Sequence, residues 1–79
     1  VINSTRIAFN LHETAKVDLA IYNIKGQLVK NLYSGNTSKH TVMWNGKDEA
    51  GNELENGVYF YKMDVNGKTE ESKKLIFLK

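Results

Sequence analysis

The chain has no cysteine, no proline, a single tryptophan and no long apolar run among its 79 residues. Without cysteine there is neither a disulfide staple nor a thiol nucleophile, but small exported domains can do without such staples, so the lack assigns no compartment. Nothing approaches the roughly 20 consecutive apolar residues of a membrane-spanning helix. The basic start, apolar stretch and small-residue cleavage site of a signal peptide do not occur together. An excess of one charge sign is missing too, with 11 Lys and Arg against 9 Asp and Glu and a formal charge of +2. The one local excess, Lys68, Lys73, Lys74 and Lys79, is interrupted by Glu70 and Glu71 and reads as a solvated edge. This balance argues against nucleic acid as a partner and against membrane insertion. A chain of about 80 residues closes one modest core, burying roughly 60–65% of its unfolded surface, and leaves no second domain or deep catalytic cleft. Residues 1–79 are therefore expected to be a single domain. Its start at Val1-Ile2 rather than Met reads as that of a piece excised from a larger secreted protein.

Catalytic signatures are equally scarce. Ser4, Ser34, Ser38 and Ser72 lack a G-x-S-x-G setting, and neither His12 nor His40 stands in a recognisable base–nucleophile arrangement. The two histidines miss the H-E-x-x-H spacing of a zinc site, and no carboxylate pair is specifically indicated. Glycine-rich phosphate cradles are absent, so no enzyme activity and no cofactor are expected. The most oxygen-rich stretch is Asn45-Gly46-Lys47-Asp48-Glu49-Ala50-Gly51-Asn52-Glu53. Asp48 and Asn52 make it a weak calcium candidate, but EF-hand spacing is missing and Lys47 puts a positive charge in its middle. The plainer expectation is a set of consecutive turns in which Asn and Asp side chains bond nearby backbone, with Gly46 and Gly51 supplying unusual dihedrals.

What the sequence does have is alternation. Ile7, Phe9 and Leu11 share one side of the first segment; Val17, Leu19 and Ile21 share one side of the second. Tyr59, Tyr61, Met63 and Val65 form the strongest stripe, with Val58, Phe60, Lys62 and Asp64 opposite, and Leu75 and Phe77 oppose Ile76 and Leu78. A period of two is that of half-buried antiparallel strands. Shorter strands are expected over 28–33 and 39–44, with an edge strand near 53–55. Turn signals stand between: a hairpin at His12-Glu13, Asn23-Ile24-Lys25-Gly26, Ser34-Gly35-Asn36 and, clearest, Asn66-Gly67, whose residues tolerate the positive φ of a type I′ turn. Six or seven short antiparallel strands without a helix predict an all-β sandwich, in either immunoglobulin-like Greek-key order or a simple meander; the immunoglobulin-like β-sandwich is preferred, because one-sided alternating strands need a second sheet to cover them. Trp44, Tyr59 and Tyr61 are expected to anchor the core; the competing reading is an exposed platform for stacking on sugars.

The residues also carry a resemblance. Ser4 to Leu11, the stretch Val17-Asp18-Leu19-Ala20-Ile21-Tyr22-Asn23-Ile24-Lys25-Gly26-Gln27-Leu28-Val29, the central Trp44-Asn45-Gly46-Lys47-Asp48-Glu49-Ala50-Gly51-Asn52, then Asn56-Gly57-Val58-Tyr59-Phe60-Tyr61 and the closing Lys74-Leu75-Ile76-Phe77-Leu78-Lys79 resemble the FlgD-like immunoglobulin-like domains. These are similar to the C-terminal sorting domains of bacterial type IX (Por) secretion cargo. The Asn-Pro-Phe-Asn-Pro lead-in usual in that family is absent. The resemblance implies a non-catalytic sorting and secretion module that directs a larger cargo across the outer membrane of a Gram-negative bacterium. Its partners would be the secretion machinery and the upstream domains of the parent protein. The product would be secreted or displayed on the cell surface after passing the periplasm, and the isolated domain would be monomeric. Gly26, Trp44, Asp48, Gly51, Asn52, Gly57 and Tyr59 fall on the family's structural signature, and Lys74, Leu75, Ile76, Phe77, Leu78 and Lys79 on a possible recognition segment. The alternatives are a structural spacer or carbohydrate-binding module on a secreted enzyme, or a scaffolding domain like that of the flagellar hook cap.

Overall fold

Four strands form, fewer and longer than the periodicity predicts: β1 (Thr5–Asn23), β2 (Leu28–Trp44), β3 (Gly57–Val65) and β4 (Lys68–Phe77). The computed structural model describes residues 5–78. All adjacent strands are antiparallel and lie in one sheet of order β2-β1-β3-β4.

The expected sandwich of six or seven short strands is thereby corrected to a single, unclosed four-stranded sheet. The chain does not reverse at His12-Glu13 or at Ser34-Gly35-Asn36. β1 stays paired with β2 from Thr5↔Trp44 to Tyr22↔Leu28, and where a hairpin was expected there is a bulge that sets residues 11–14 of β1 opposite Ser38 of β2. Tight hairpins draw on left-handed residues. Among the described residues positive φ occurs at Gly26, Gly46, Gly51, Gly57, Asn66 and Gly67, and so at neither of the two sites where the chain runs on. Gly35 is ordinary strand backbone whose bareness makes room for the Tyr33 hydroxyl, which a Cβ would approach to 3.0 Å.

The bulge bends the long β1–β2 ribbon, and the bend supplies the cover that a second sheet was expected to give. Tyr33 and His40 both belong to β2 and in a straight strand would stand about 23 Å apart, at about 3.3 Å per residue. Their ring centroids are 4.2 Å apart, and Phe9 lies 6.3 Å from His40. The far end of the ribbon thus delivers Ile7 and Trp44 into the same core as Val17, Leu19 and Ile21 of β1, Tyr59, Tyr61 and Met63 of β3, and Phe77 of β4. Each of these lies on the inward side of its strand, which is why the alternation survived even though the strand boundaries did not.

The Asn66-Gly67 hairpin forms as expected, with φ of 51° and 84°. The expected edge strand near 53–55 is reduced to one bridge, Lys47↔Glu53.

Candidate functional site

Three parts of the molecule are candidates from the sequence: the aromatic stripe, the loop over residues 45–56, and the outward side of the sheet with its edges. The aromatic stripe is not surface at all. Trp44, Tyr59 and Tyr61 retain 1%, 8% and 7% of their exposure. Trp44 sits 5.5 Å from both Tyr59 and Phe77, edge-on to the former. Their polar atoms reach the rim: Trp44 Nε1 donates to the Lys47 carbonyl (3.1 Å), the Tyr59 hydroxyl to the Glu55 carbonyl (2.8 Å), and the Tyr61 hydroxyl to the Glu71 carboxylate. Burial pushes both tyrosine hydroxyls up from their ordinary range, assisted by the charge of Glu55 at Tyr59 and by Glu71 at Tyr61. The core reading of these three residues holds, and a sugar platform built from them has no exposed rings.

The loop is knitted to itself and to β2. Asp48 Oδ1 accepts from the backbone N–H groups of Ala50 (3.0 Å) and Asn52 (2.9 Å), while the Asn52 side-chain amide reaches Asp48 Oδ2 at 3.5 Å. The Asn52 backbone bond leads the causes that hold the Asp48 carboxyl below its ordinary value. Backbone pairs Asp48 N–H to Asn52 and Leu54 N–H to Gly46 close the turns. One oxygen of Asp48 is thus committed to backbone donors, and the described residues hold no cluster of three or more His, Cys, Asp or Glu. Gly46, at φ 78°, lies so close under the Phe77 ring that an added Cβ would fall deep inside its contact distance. Only glycine fits there, since the backbone is left-handed and the space already filled.

From this loop Glu49 reaches across to the free side of β2. Its N–H donates to the Val29 carbonyl (3.2 Å), its carboxylate accepts from the Asn31 N–H (2.9 Å), and Lys30 Nζ stands 3.8 Å away. Sequence reasoning missed this brace. A lone Glu among turn-forming residues gives no sign that it will pair with a strand edge twenty residues back in the chain.

The outward side of the sheet is where apolar groups stay open. Leu28, Tyr22, Phe60 and Lys74 form one row across all four strands, with Val58 opposite Ile76 beside it. Ile24 and Leu28 keep 72% and 57% of their exposure, and Val58, Ile76 and Leu78 are also exposed. A shallow concavity of about 340 Å³ lies here, lined by Tyr22, Ile24, Phe60, Lys62 and Ser72. The Lys62 ammonium rides 5.8 Å from the Tyr22 ring centroid. Of the proposed recognition segment, Lys74 to Phe77 lie in edge strand β4, Phe77 is buried, Leu75 half-buried and Lys74 exposed. Lys79 lies outside the described residues. Gly26 turns the chain between β1 and β2 at φ 80°, and Gly57 opens β3.

Against known proteins, the sequence matches the FlgD Ig-like domain over residues 3–70. The chain belongs to the FlgD Ig-like domain family. It is therefore a small non-catalytic accessory domain. The fold is similar to part of dimeric latent PorU from Porphyromonas gingivalis, with a TM-score of 0.80 at 23% identity, covering 99% of this chain and 8% of that one. It is also similar to FlgD from P. aeruginosa, with a TM-score of 0.62 at 26% identity, covering 94% of this chain and 60% of that one. This FlgD Ig-like domain thus spans less than two thirds of either protein. No curated protein matches it. The family match ends before the Lys74 to Lys79 segment.

Proposed function

We propose that this FlgD Ig-like domain is a scaffolding or spacer module of a larger bacterial protein, exported or displayed at the cell surface, that works by contact with other protein surfaces. The observation that carries this is the placement of its large apolar groups. The aromatics that could have met a sugar are sealed in the core, whereas Ile24, Leu28, Val58 and Ile76 stand open on the outer side of the sheet. An apolar patch rimmed by polar residues such as Lys62 and Ser72 is the mark of a protein-binding face. The likeness to FlgD, at 26% identity, supports a scaffolding role.

A second reading, a sorting address read by type IX secretion machinery, draws on the sequence resemblance and on the overlay of nearly the whole chain with part of PorU. Its proposed recognition segment lies beyond the residues of the family match, and for that reason it ranks second.

Two experiments separate these readings. Leu28→Asp with Ile76→Asp, placed in the full-length parent, is expected to leave the domain folded and disrupt the parent's assembly with its neighbours. Unchanged assembly overturns the scaffolding reading. Residues 1–79 fused to an exported reporter, in a host with the type IX machinery, are expected not to direct secretion. Secretion of the reporter that survives Leu28→Asp with Ile76→Asp would establish the sorting reading instead.

A further inference from the structure

The sheet ends in two edges that differ in how they are closed. On β2, Glu49 occupies the backbone at Val29 and Asn31. On β4 no further strand pairs among the described residues, and β3 is its single neighbour. An open edge presents unpaired N–H and C=O groups that can accept another strand, and proteins usually guard it with charge. β4 is guarded, but in a particular order: Glu70-Glu71-Ser72-Lys73-Lys74. The acids precede Ser72 and the bases follow it at matching distances, so the pattern reverses sign about Ser72.

That order selects one mode of pairing. If two copies of β4 met in parallel and in register, each Glu would face Glu and each Lys would face Lys, which is destabilising. If they meet antiparallel about Ser72, each Glu71 comes opposite the partner's Lys73, and each Glu70 comes within reach of the partner's Lys74. Shifting that antiparallel register two residues toward the acids, so that it centres on Glu71, brings Lys68 against the partner's Lys74. Charges thus repel the alternatives and favour one register, which is how specificity is built into strand pairing.

Glu70 and Lys74 are free to move to such a partner, whereas Glu71 already accepts the Tyr61 hydroxyl on its own sheet. Glu70 is the extra residue of a bulge between Thr69↔Asp64 and Glu71↔Met63, and both it and Lys74 are exposed. Neither forms an ion pair among the described residues, and Lys73 makes only a long one, 3.9 Å, with Glu71 of its own strand.

We infer that the β4 edge is a self-recognition surface: a second copy of this chain adds antiparallel across a two-fold axis at Ser72, joining two sheets into one of eight strands. This is independent of the apolar outer face invoked above, and it revises the expectation that the isolated domain is a monomer. Strand addition over one short edge buries little area, so the dimer is weak and depends on salt.

Sedimentation equilibrium of the 79-residue chain at low ionic strength tests it. The unmodified chain should dimerise, and less so as salt is added. Glu70→Lys and Lys74→Glu each place like charges across the axis and should each weaken self-association by about tenfold. An equimolar mixture of the two should form a heterodimer at least as tight as the unmodified homodimer, because every repelling pair becomes an attracting one. Both changes lie outside the core, so tryptophan fluorescence from buried Trp44 verifies that the fold is intact. The stronger pair of doubles, Glu70→Lys/Glu71→Lys with Lys73→Glu/Lys74→Glu, should behave alike with larger amplitude, although the former also removes the acceptor of the Tyr61 hydroxyl. A chain that stays monomeric to millimolar concentration, single variants that associate as the unmodified chain does, or a mixture no tighter than its components each overturn the inference.

Discussion

Along the free side of β2, Glu49 fills the backbone at Val29 and Asn31 with two hydrogen bonds, and the loop that carries it is fixed in turn by Trp44, Gly46 and Asp48. Along the free side of β4 there is no such insert; protection falls to the side chains Glu70, Glu71, Lys73 and Lys74. The difference separates two ways of finishing a sheet. A covered edge satisfies its backbone permanently, at the cost of a structured loop that must itself be built. A charged edge leaves its backbone available and decides by sign which strands may approach. The first serves the fold, and the second leaves room for a partner.

If the loop is what closes the β2 edge, damage to its foundation should open that edge. The largest effect is expected from Trp44→Ala, which empties the centre of the core and removes the Nε1–H bond to Lys47. A loss of roughly 3–5 kcal/mol, comparable with the whole stability of a domain this size, should appear in urea denaturation. A midpoint close to that of the unmodified chain would show that the loop stands without its anchor.

Next in size is Gly46→Ala. The new methyl group would have to displace the Phe77 ring, and the residue would be held at φ 78°. Overpacking and the left-handed backbone together should cost about 2–4 kcal/mol. Gly26→Ala makes the control: its φ is 80° but nothing lies within 4 Å of an added Cβ, so its cost should be only the backbone part. Equal losses at both positions would mean that the Phe77 contact is unimportant.

Glu49→Ala probes the brace directly. Because its carboxylate is half-exposed, the global cost should stay below about 1 kcal/mol. Locally, however, the Asn31 amide loses its acceptor and should exchange with solvent markedly faster, while amides of β4 keep their rates. Unaltered exchange at Asn31 would remove the distinction between the two edges.

How far these features could be read in advance follows the range of the interactions behind them. The inward sets Val17, Leu19, Ile21 and Tyr59, Tyr61, Met63 were legible because a period of two is local and survives any change in where a strand ends. Asn66-Gly67 was legible because left-handed backbone is written in those two residues. The number of strands was not. It depends on whether the chain reverses or only bends at residues 11–14, and the Tyr33–His40 stack and the inward delivery of Trp44 that accompany the bend join positions far from that site. The Asp48 turn could be foreseen as an Asx-type structure, but not its use in carrying Glu49 to β2, since that needs the tertiary position of the loop. Sign order along β4 was plain in the sequence; only the topology shows that it lies on an open edge.

The smallest expected effect concerns acid. Hydrogen bonds from Asn52 and Ala50 favour the ionised Asp48 carboxylate and lower its pKa in the folded chain below the ordinary 3.8. A lowered folded value means that the ionised group contributes stability at pH above 3.8, and that this contribution is lost as pH falls below 3.8 through the folded value. Asp48→Ala should therefore be less stable than the unmodified chain at neutral pH, with the gap closing as the solution is acidified past that range. Since Asp48 shapes the loop that presents Glu49, protection factors of the Asn31 amide, which divide out the intrinsic pH dependence of exchange, should fall over the same interval in the unmodified chain and stay flat in the variant. The Val65↔Lys68 end of the β3–β4 hairpin is tied through Asn66 to Lys16 of β1, and its protection should be the same in both chains at every pH. A parallel decline there would tie acid sensitivity to the sheet as a whole and dissolve the contrast between a covered edge and a charged one.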